Sequence, residues 1–263
     1  MVGRFMQRFY VFLIFLFLYA PIIVLIVFSF NSSKSRGHWD GVTLKWYLDL
    51  FRDPQIMKAL YYSLVIGILS SAVATVVGTG AAIGIDNMTR FKKKMVMNLT
   101  YLPVLNPDIV TGISLMLLFI FVNMKLGFLS LLFAHITFNI PYVILSVLPK
   151  LKQLNRHLYE AALDLGATPW TAFKKVILPE IMPGVVTGAL LAFTLSLDDF
   201  VISFFTTGSG VSNLSIVIYS MARRGINPKI NALSTLMFIS VLLLLIIVDR
   251  RMSKDQVKGE SRV

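Results

Sequence analysis

Residues 158 to 179 read LYEAALDLGATPWTAFKKVILP, a charged island set between two long apolar runs. Asn155 is placed to cap a first short helix, and Gly166 to end it in the left-handed conformation. Thr168 is placed to cap a second helix with Pro169 at its first position, and Leu178-Pro179 to stop it. The spacing thus predicts two short helices joined by a fixed turn, too polar to lie in hydrocarbon and flanked by segments too apolar to lie outside it. Ala161 and Ala162 keep one face of the first helix shallow, so that it fits a groove on a partner, and Glu160 offers a carboxylate for charge-assisted bonds at the rim. This pattern decides the fold class: an all-α polytopic membrane chain with a structured loop outside the bilayer.

Working outward, 56% of the 263 residues are hydrophobic and only 14% are charged, a balance that leaves a water-soluble domain of this size with too little polar surface. Six stretches approach the roughly 20 apolar residues needed to cross a core about 30 Å thick. They fall near 9–30, 60–85, 96–122, 128–149, 181–207 and 230–248, within a single transmembrane domain, 1–263. The net charge of +12 raises the question of a nucleic-acid partner, and the positions of the cations answer it. Six spans with both termini inside put sixteen of the 25 Lys and Arg in cytoplasmic segments, including Arg90, Lys92, Lys93, Lys94, Lys174 and Lys175. That bias is the positive-inside rule, not a phosphate-tracking groove. It places the loop 150–180 and the tail 249–263 in the cytoplasm. The first apolar run exceeds the usual 7–15 residues of a signal peptide and is expected to remain as a helix.

Several chemistries have no residues to support them. Without cysteine there is no disulfide, iron–sulfur cluster or thiol nucleophile. No phosphate-cradling Gly-rich loop ending in Lys-Ser or Lys-Thr occurs, so ATP hydrolysis is expected on another subunit. His38, His135 and His157 lack a second ligand at metal spacing, and no catalytic constellation is apparent. His135 reads as a packing residue bonded to a backbone carbonyl.

Carboxylates inside spans need a reason, since each costs about 2.5–3.5 kcal/mol at the bilayer centre. Asp108 follows Pro103 and Pro107, which interrupt the backbone ladder. Asp198 and Asp199 lie in the fifth run, about 100° apart on a helix, so both are not expected to face one lumen. One reading is a negatively charged route for a cationic solute; the other is structural pairing with Asn106, Ser196 or a neighbouring helix. Gly80-x-x-x-Gly84, with Gly78, reads as a helix-packing face. Residues 31–59 interleave Trp39, Trp46, Tyr47 and Phe51 with Asp40, Asp49 and Asp53, and 208–229 are expected to hold a short interfacial helix. Either loop suits an external partner or plain interfacial anchoring.

Glu160-Ala-Ala, then Gly166, then Ile177-Leu-Pro179, resembles the EAA loop that permease subunits of type I ABC importers present to their ATPases. Phe28 to Ser33, Ser130 to Phe138, Ser196 to Phe200 and Asn231 to Thr235 are similar to the spermidine/putrescine branch of that family, over nearly the whole chain. The resemblance implies a six-helix, MetI-like architecture in a bacterial plasma membrane. It implies a second permease subunit, two cytoplasmic ATPase subunits that carry ATP and Mg²⁺, and an external polyamine-binding protein. It assigns ATPase coupling to Glu160, Ala161, Ala162, Gly166, Leu178 and Pro179; Asp108, Asp198 and Asp199, from the carboxylate reading above, are the candidates for passage of solute, and no cofactor or metal is expected in this chain. The alternatives are an importer of the same architecture for another solute, and a six-helix channel or passive carrier.

Overall fold

The computed structural model describes residues 2–34, 38–225 and 228–260. Every named element among them is helical: α1 (Val2–Ser29), α2 (Lys45–Phe51), α3 (Pro54–Asp86), α4 (Arg90–Leu105), α5 (Asp108–Phe121), α6 (Phe128–Gln153), α7 (Arg156–Asp164), α8 (Pro169–Ala172), α9 (Leu178–Asp198), α10 (Val201–Thr206), α11 (Leu214–Arg223) and α12 (Pro228–Glu260). A π-helical turn, Phe173–Ile177, lies between α8 and α9. Two compact units are formed, one by Met1–Lys58 with Val217–Lys254 and the other by Ala59–Ile216 with Asp255–Val263.

In the first unit, the most apolar stretch of α1 has no buried residue, as expected for a helix solvated by lipid or by another subunit. The chain that follows is tied down by one amide. Asn31 is fully buried; its Nδ2 donates to the His38 carbonyl (2.8 Å), and its Oδ1 accepts from the backbone N–H of Ser33 and Asp40. Its own carbonyl accepts from Trp46 Nε1 at 2.7 Å, and Ser29 Oγ meets Tyr47 OH at 2.6 Å. The aromatic segment is therefore a folded loop. Trp46 is buried within it, whereas Trp39 and Phe51 are exposed. Asp53 ends the segment by accepting from the N–H of Gln55 and Ile56 in the first turn of α3, and its other oxygen meets Lys229 of α12 at 3.4 Å.

In the second unit α6 is the central rod. Val143, Ile144, Val147, Leu148 and Leu151 from α6 form a core with Ala74, Ala82 and Ile85 of α3 and with Ile181 and Ala192 of α9. Lipid tails are as apolar as these side chains, so close fit rather than water exclusion holds the helices together. The fit depends on three glycines. A Cβ on Gly78 would stand 2.8 Å from Val143 Cβ, one on Gly184 2.9 Å from the Ser146 carbonyl, and one on Gly188 3.1 Å from Val143 Cα. Gly80 and Gly84 meet nothing within 4 Å, so the expected Gly80/Gly84 face is not the contact. Gly78 is, with two glycines of α9 that the small-residue pattern in α3 did not reveal. A second cluster joins Leu115 and Phe119 of α5 to Ala134 and Phe138 of α6 and Ile202 of α10.

The expected spans and the observed helices differ in three places. The run 96–122 is two helices, α4 and α5, meeting at 105°. Pro107 forces Asn106 into an extended conformation (ψ 146°), which ends α4. The fifth run starts earlier than expected, as one apolar helical stretch from Pro169 to Asp198; it breaks at Asp199-Phe200 and resumes as α10. The sixth lies in α12, whose apolar part is Pro228–Leu243. Among the described residues four helices are thus long and apolar enough to cross a membrane, or five with the bent pair, where six continuous spans were expected. α12 carries the helix through most of the expected tail, and 261–263 lie outside the described residues. The expected interfacial helix in 208–229 is α11.

Candidate functional site

Two polar sites break the apolar helices, one at each end of α9. The first is the charged island. Asn155 Oδ1 accepts from the N–H of His157, capping α7, and Thr168 Oγ1 accepts from the N–H of Thr171, capping α8, with Pro169 in its first turn. Between them Gly166 takes φ +84°, where a Cβ would cost about 1–2 kcal/mol; the N–H of Ala167 bonds the Ala162 carbonyl and that of Gly166 the Leu163 carbonyl. Helix, left-handed glycine, cap and second helix all match the expectation.

The expected stop at Leu178-Pro179 does not occur. Pro179 has no N–H and its ring would strike the carbonyl four residues back in a regular helix. The chain resolves the conflict by widening: through Phe173–Ile177 the bonds skip five residues, so that the N–H of Leu178 bonds the Phe173 carbonyl. Pro179 then sits in the first turn of α9, where no N–H is needed. Leu178 and Pro179 are the joint between the island and the span.

The island's surface is apolar at its tip and charged at its edge. Leu165 is 90% exposed and Trp170 70%, with Trp170 stacked on Phe173 at 5.5 Å. Glu160 is exposed and stands 3.3 Å from His157 Nδ1; Ala161 is exposed and Ala162 half-buried. Large apolar side chains held out on a capped, rigid turn are what a protein–protein anchor requires.

The second site lies about 27 Å further along α9, at 1.5 Å per residue from Leu178 to Ser196. Asp199, with its side chain 6% exposed, closes the first turn of α10. Its Oδ1 accepts from the N–H of Ile202 (3.1 Å) and its Oδ2 from the N–H and Oγ of Ser203 (2.7 and 2.8 Å). His135 of α6 lies between Ser196 Oγ (Nδ1, 2.6 Å) and Ser203 Oγ (Nε2, 2.9 Å), and its Nε2 stands 3.6 Å from Asp199 Oδ2. Asn213 donates to Ser203 Oγ at 2.6 Å. Ser70 of α3 meets Ser196 Oγ at 3.1 Å, and Asn139 Nδ2 reaches Ser70 Oγ at 3.4 Å. One continuous chain of polar side chains therefore crosses four helices. Within the seam the buried Asn139 Oδ1 has no partner among the described residues, and neither has Thr79 Oγ1, nine residues beyond Ser70 on α3.

Of the three carboxylates expected on a solute route, Asp108 and Asp198 are exposed and Asp199 is buried. The adjacent pair do diverge, though not by helical spacing: α9 ends at Asp198, and Asp199 is extended (ψ 120°). His135 bonds two serine hydroxyls and not a backbone carbonyl, which corrects its reading as a plain packing residue. Ser70 was expected only as part of the small packing face around Gly78, and Asn139, Ser203 and Asn213 were given no role. The available signal was polar residues four apart on single helices, His135 and Asn139 on α6 and Asp199 and Ser203 at the start of α10.

A bundle of lipid-facing helices with a capped helical anchor at one end and a buried polar seam at the other defines a multi-pass α-helical membrane permease. Residues 1–253 match the binding-protein-dependent transport system inner membrane component family, and the chain belongs to it. It is 40% identical over 261 residues to the spermidine/putrescine transport system permease protein PotC of Escherichia coli K12, covering 99% of this chain and 98% of that protein. It is 42% identical over 229 residues to the putrescine transport system permease protein PotI of the same strain, covering 84% and 82%. With PotC of Haemophilus influenzae the identity is 37%, over 92% and 95%. The fold is that of ABC importer permeases: a chain of the bacterial ABC transporter that imports alginate superposes with TM-score 0.72 at 17% identity, covering 95% of this chain and 94% of that one. The inward-facing MetNI methionine ABC transporter gives 0.63 at 18%, covering 81% and 99%.

Proposed function

We propose that this chain is one permease subunit of an ATP-driven importer of polyamines, spermidine and putrescine, and forms half of the translocation pathway. The observation that carries the solute is the 40% identity over 99% of the chain to a spermidine/putrescine permease. The observation that carries the coupling is the anchor: Leu165 and Trp170 stand exposed on a turn fixed by Gly166. In this reading the anchor docks on a cytoplasmic ATPase, Glu160, Ala161, Ala162 and Gly166 form the contact, and Leu178 and Pro179 pass its motion into α9. The chain performs no hydrolysis itself; ATP and Mg²⁺ belong to two ATPase copies. A second, related permease completes the pathway, and an external binding protein delivers the solute. Consistent with that last partner, the alginate ABC transporter occurs in complex with a pentasaccharide-bound periplasmic protein. The membrane is the bacterial inner membrane, with both termini cytoplasmic.

A diammonium or triammonium solute needs carboxylates and little competing cation. Asp108 and Asp198 present exposed carboxylates, and Asp199 adds a buried negative charge. Each transport state must be favoured by a different ligand, or nothing moves; ATP and the loaded binding protein supply that difference. The test is uptake of labelled spermidine in cells carrying the partner subunits, with and without this chain, challenged by unlabelled putrescine and by an inorganic cation. Uptake that depends on the chain and is competed by putrescine alone is expected. Intact assembly with no spermidine uptake would keep the permease and discard the solute; conduction without the ATPase would indicate a channel.

A further inference from the structure

We propose that His135 is a positioning residue for transport: through Ser203 it keeps the Asp199 carboxylate engaged, which leaves Asp198 as the carboxylate offered to a cationic solute. The inference rests on the cationic route proposed above.

The argument begins with what Asp199 has left to give. An ionised carboxylate has about four lone-pair sites; here three donors, two of them backbone N–H groups, already occupy it. The third donor is the Ser203 hydroxyl, and its direction is not free. Asn213 Nδ2 approaches Ser203 Oγ at 2.6 Å and His135 Nε2 at 2.9 Å. With Nε2 protonated, both are donors to that oxygen, so the single Ser203 hydrogen must point away from them, to Asp199. The rest of the seam is compatible with this arrangement: with Nε2 protonated, Nδ1 accepts from Ser196 Oγ, which leaves Ser196 as an acceptor toward Ser70, whose hydroxyl also has the Gly67 carbonyl at 3.4 Å. The imidazole is 1% exposed and fixed from both sides, and it does not itself bond the carboxylate, since 3.6 Å is too long.

A pathway needs attraction without a trap, favourable enough to enter and weak enough to leave. A buried carboxylate whose sites are filled supplies negative potential over several ångströms but little capacity for direct bonds to an ammonium. Freed from Ser203, the same carboxylate becomes a deep, slowly released site. Asp198, exposed one residue earlier, then no longer sets the rate of passage.

The test uses the assembled importer with its binding protein in proteoliposomes and reads spermidine taken up per ATP hydrolysed. His135→Asn keeps an acceptor near the Nδ1 position for Ser196 and loses the Nε2 donor; Ser203→Ala removes the hydroxyl bridge and little volume. Each is expected to lower the ratio about tenfold, and the double variant to lower it no further than the worse single, as two members of one unit do. Thr137→Ala, whose hydroxyl bonds its own helix at Phe133, serves as the unaffected control. A ratio within twofold of wild type in either assembled single variant, or effects that multiply in the double, would overturn the proposal. If His135→Asn fails to assemble, Ser203→Ala decides alone. A wild-type complex that hydrolyses ATP but takes up no spermidine would instead refute the solute assignment.

Discussion

At the residue scale, the island's geometry rests on a few local choices whose loss has a calculable size. Gly166→Asp pays the left-handed penalty of about 1–2 kcal/mol at a position with open space around it, so the fault is in backbone angle and not in packing. Membrane insertion at the wild-type level with uptake reduced at least severalfold is expected; undiminished uptake would remove Gly166 from the coupling role. Asn155→Ala and Thr168→Ala each delete a cap worth about 1 kcal/mol and are expected to raise the susceptibility of the island to limited proteolysis while α6 and α9 stay protected. For the carboxylates, Asn replacements at Asp108 and Asp198 are expected to slow uptake of spermidine without changing assembly, measured as initial rates in cells with matched expression. The caps were legible in the sequence because they act over three residues. The partners of His135 were not, because Ser196 and Ser203 lie 61 and 68 residues away and meet it only once α6, α9 and α10 have packed.

At the element scale, the π-helical turn and the glycine contacts carry the argument. Pro179 was readable as a breaker, and a stop is the ordinary outcome; that the chain widened instead depends on α9 having a place in the bundle to continue into. The π-helical turn takes up one extra residue without rotating the helices that flank it, so inserting one further residue into 173–177 would turn the island by about 100° relative to α9. The expected result is an inserted, folded permease that no longer co-purifies with its ATPase. The glycines divide in a way that sequence spacing did not show. Overpacking at Gly188 is expected to cost about 1–3 kcal/mol, lowering the detergent-solubilised melting temperature for Gly188→Leu, whereas Gly80→Leu, with nothing within 4 Å, is expected to leave it unchanged. The bend at Asn106-Pro107 was half legible. The prolines announced a broken ladder, but an angle of 105° follows from Asn106 turning extended, which no periodicity records.

At the scale of the whole molecule, hydropathy and cation bias were enough to recognise a multi-pass membrane chain, and the island's spacing to recognise an importer permease. A reporter fused after Val263 is expected to be active only in the cytoplasm; labelling of the same site from outside would reverse the topology. What composition could not convey is that one rod serves both polar sites. α6 is 26 residues long, about 39 Å at 1.5 Å per residue. It carries His135 near one end and leads, through Leu154, into the island at the other. Its contacts with Gly184 and Gly188 clamp it to α9, so the two helices act as a single lever. A tilt of about 10° around its middle swings each end by about 3 Å over a half-length of about 20 Å. His135 lies about 8 Å from that middle, so the same tilt moves it by about 1.4 Å, enough to stretch its 2.9 Å link to Ser203 of α10 past hydrogen-bond length; in the proposed coupling, a small stroke at the island reaches the seam through this one contact.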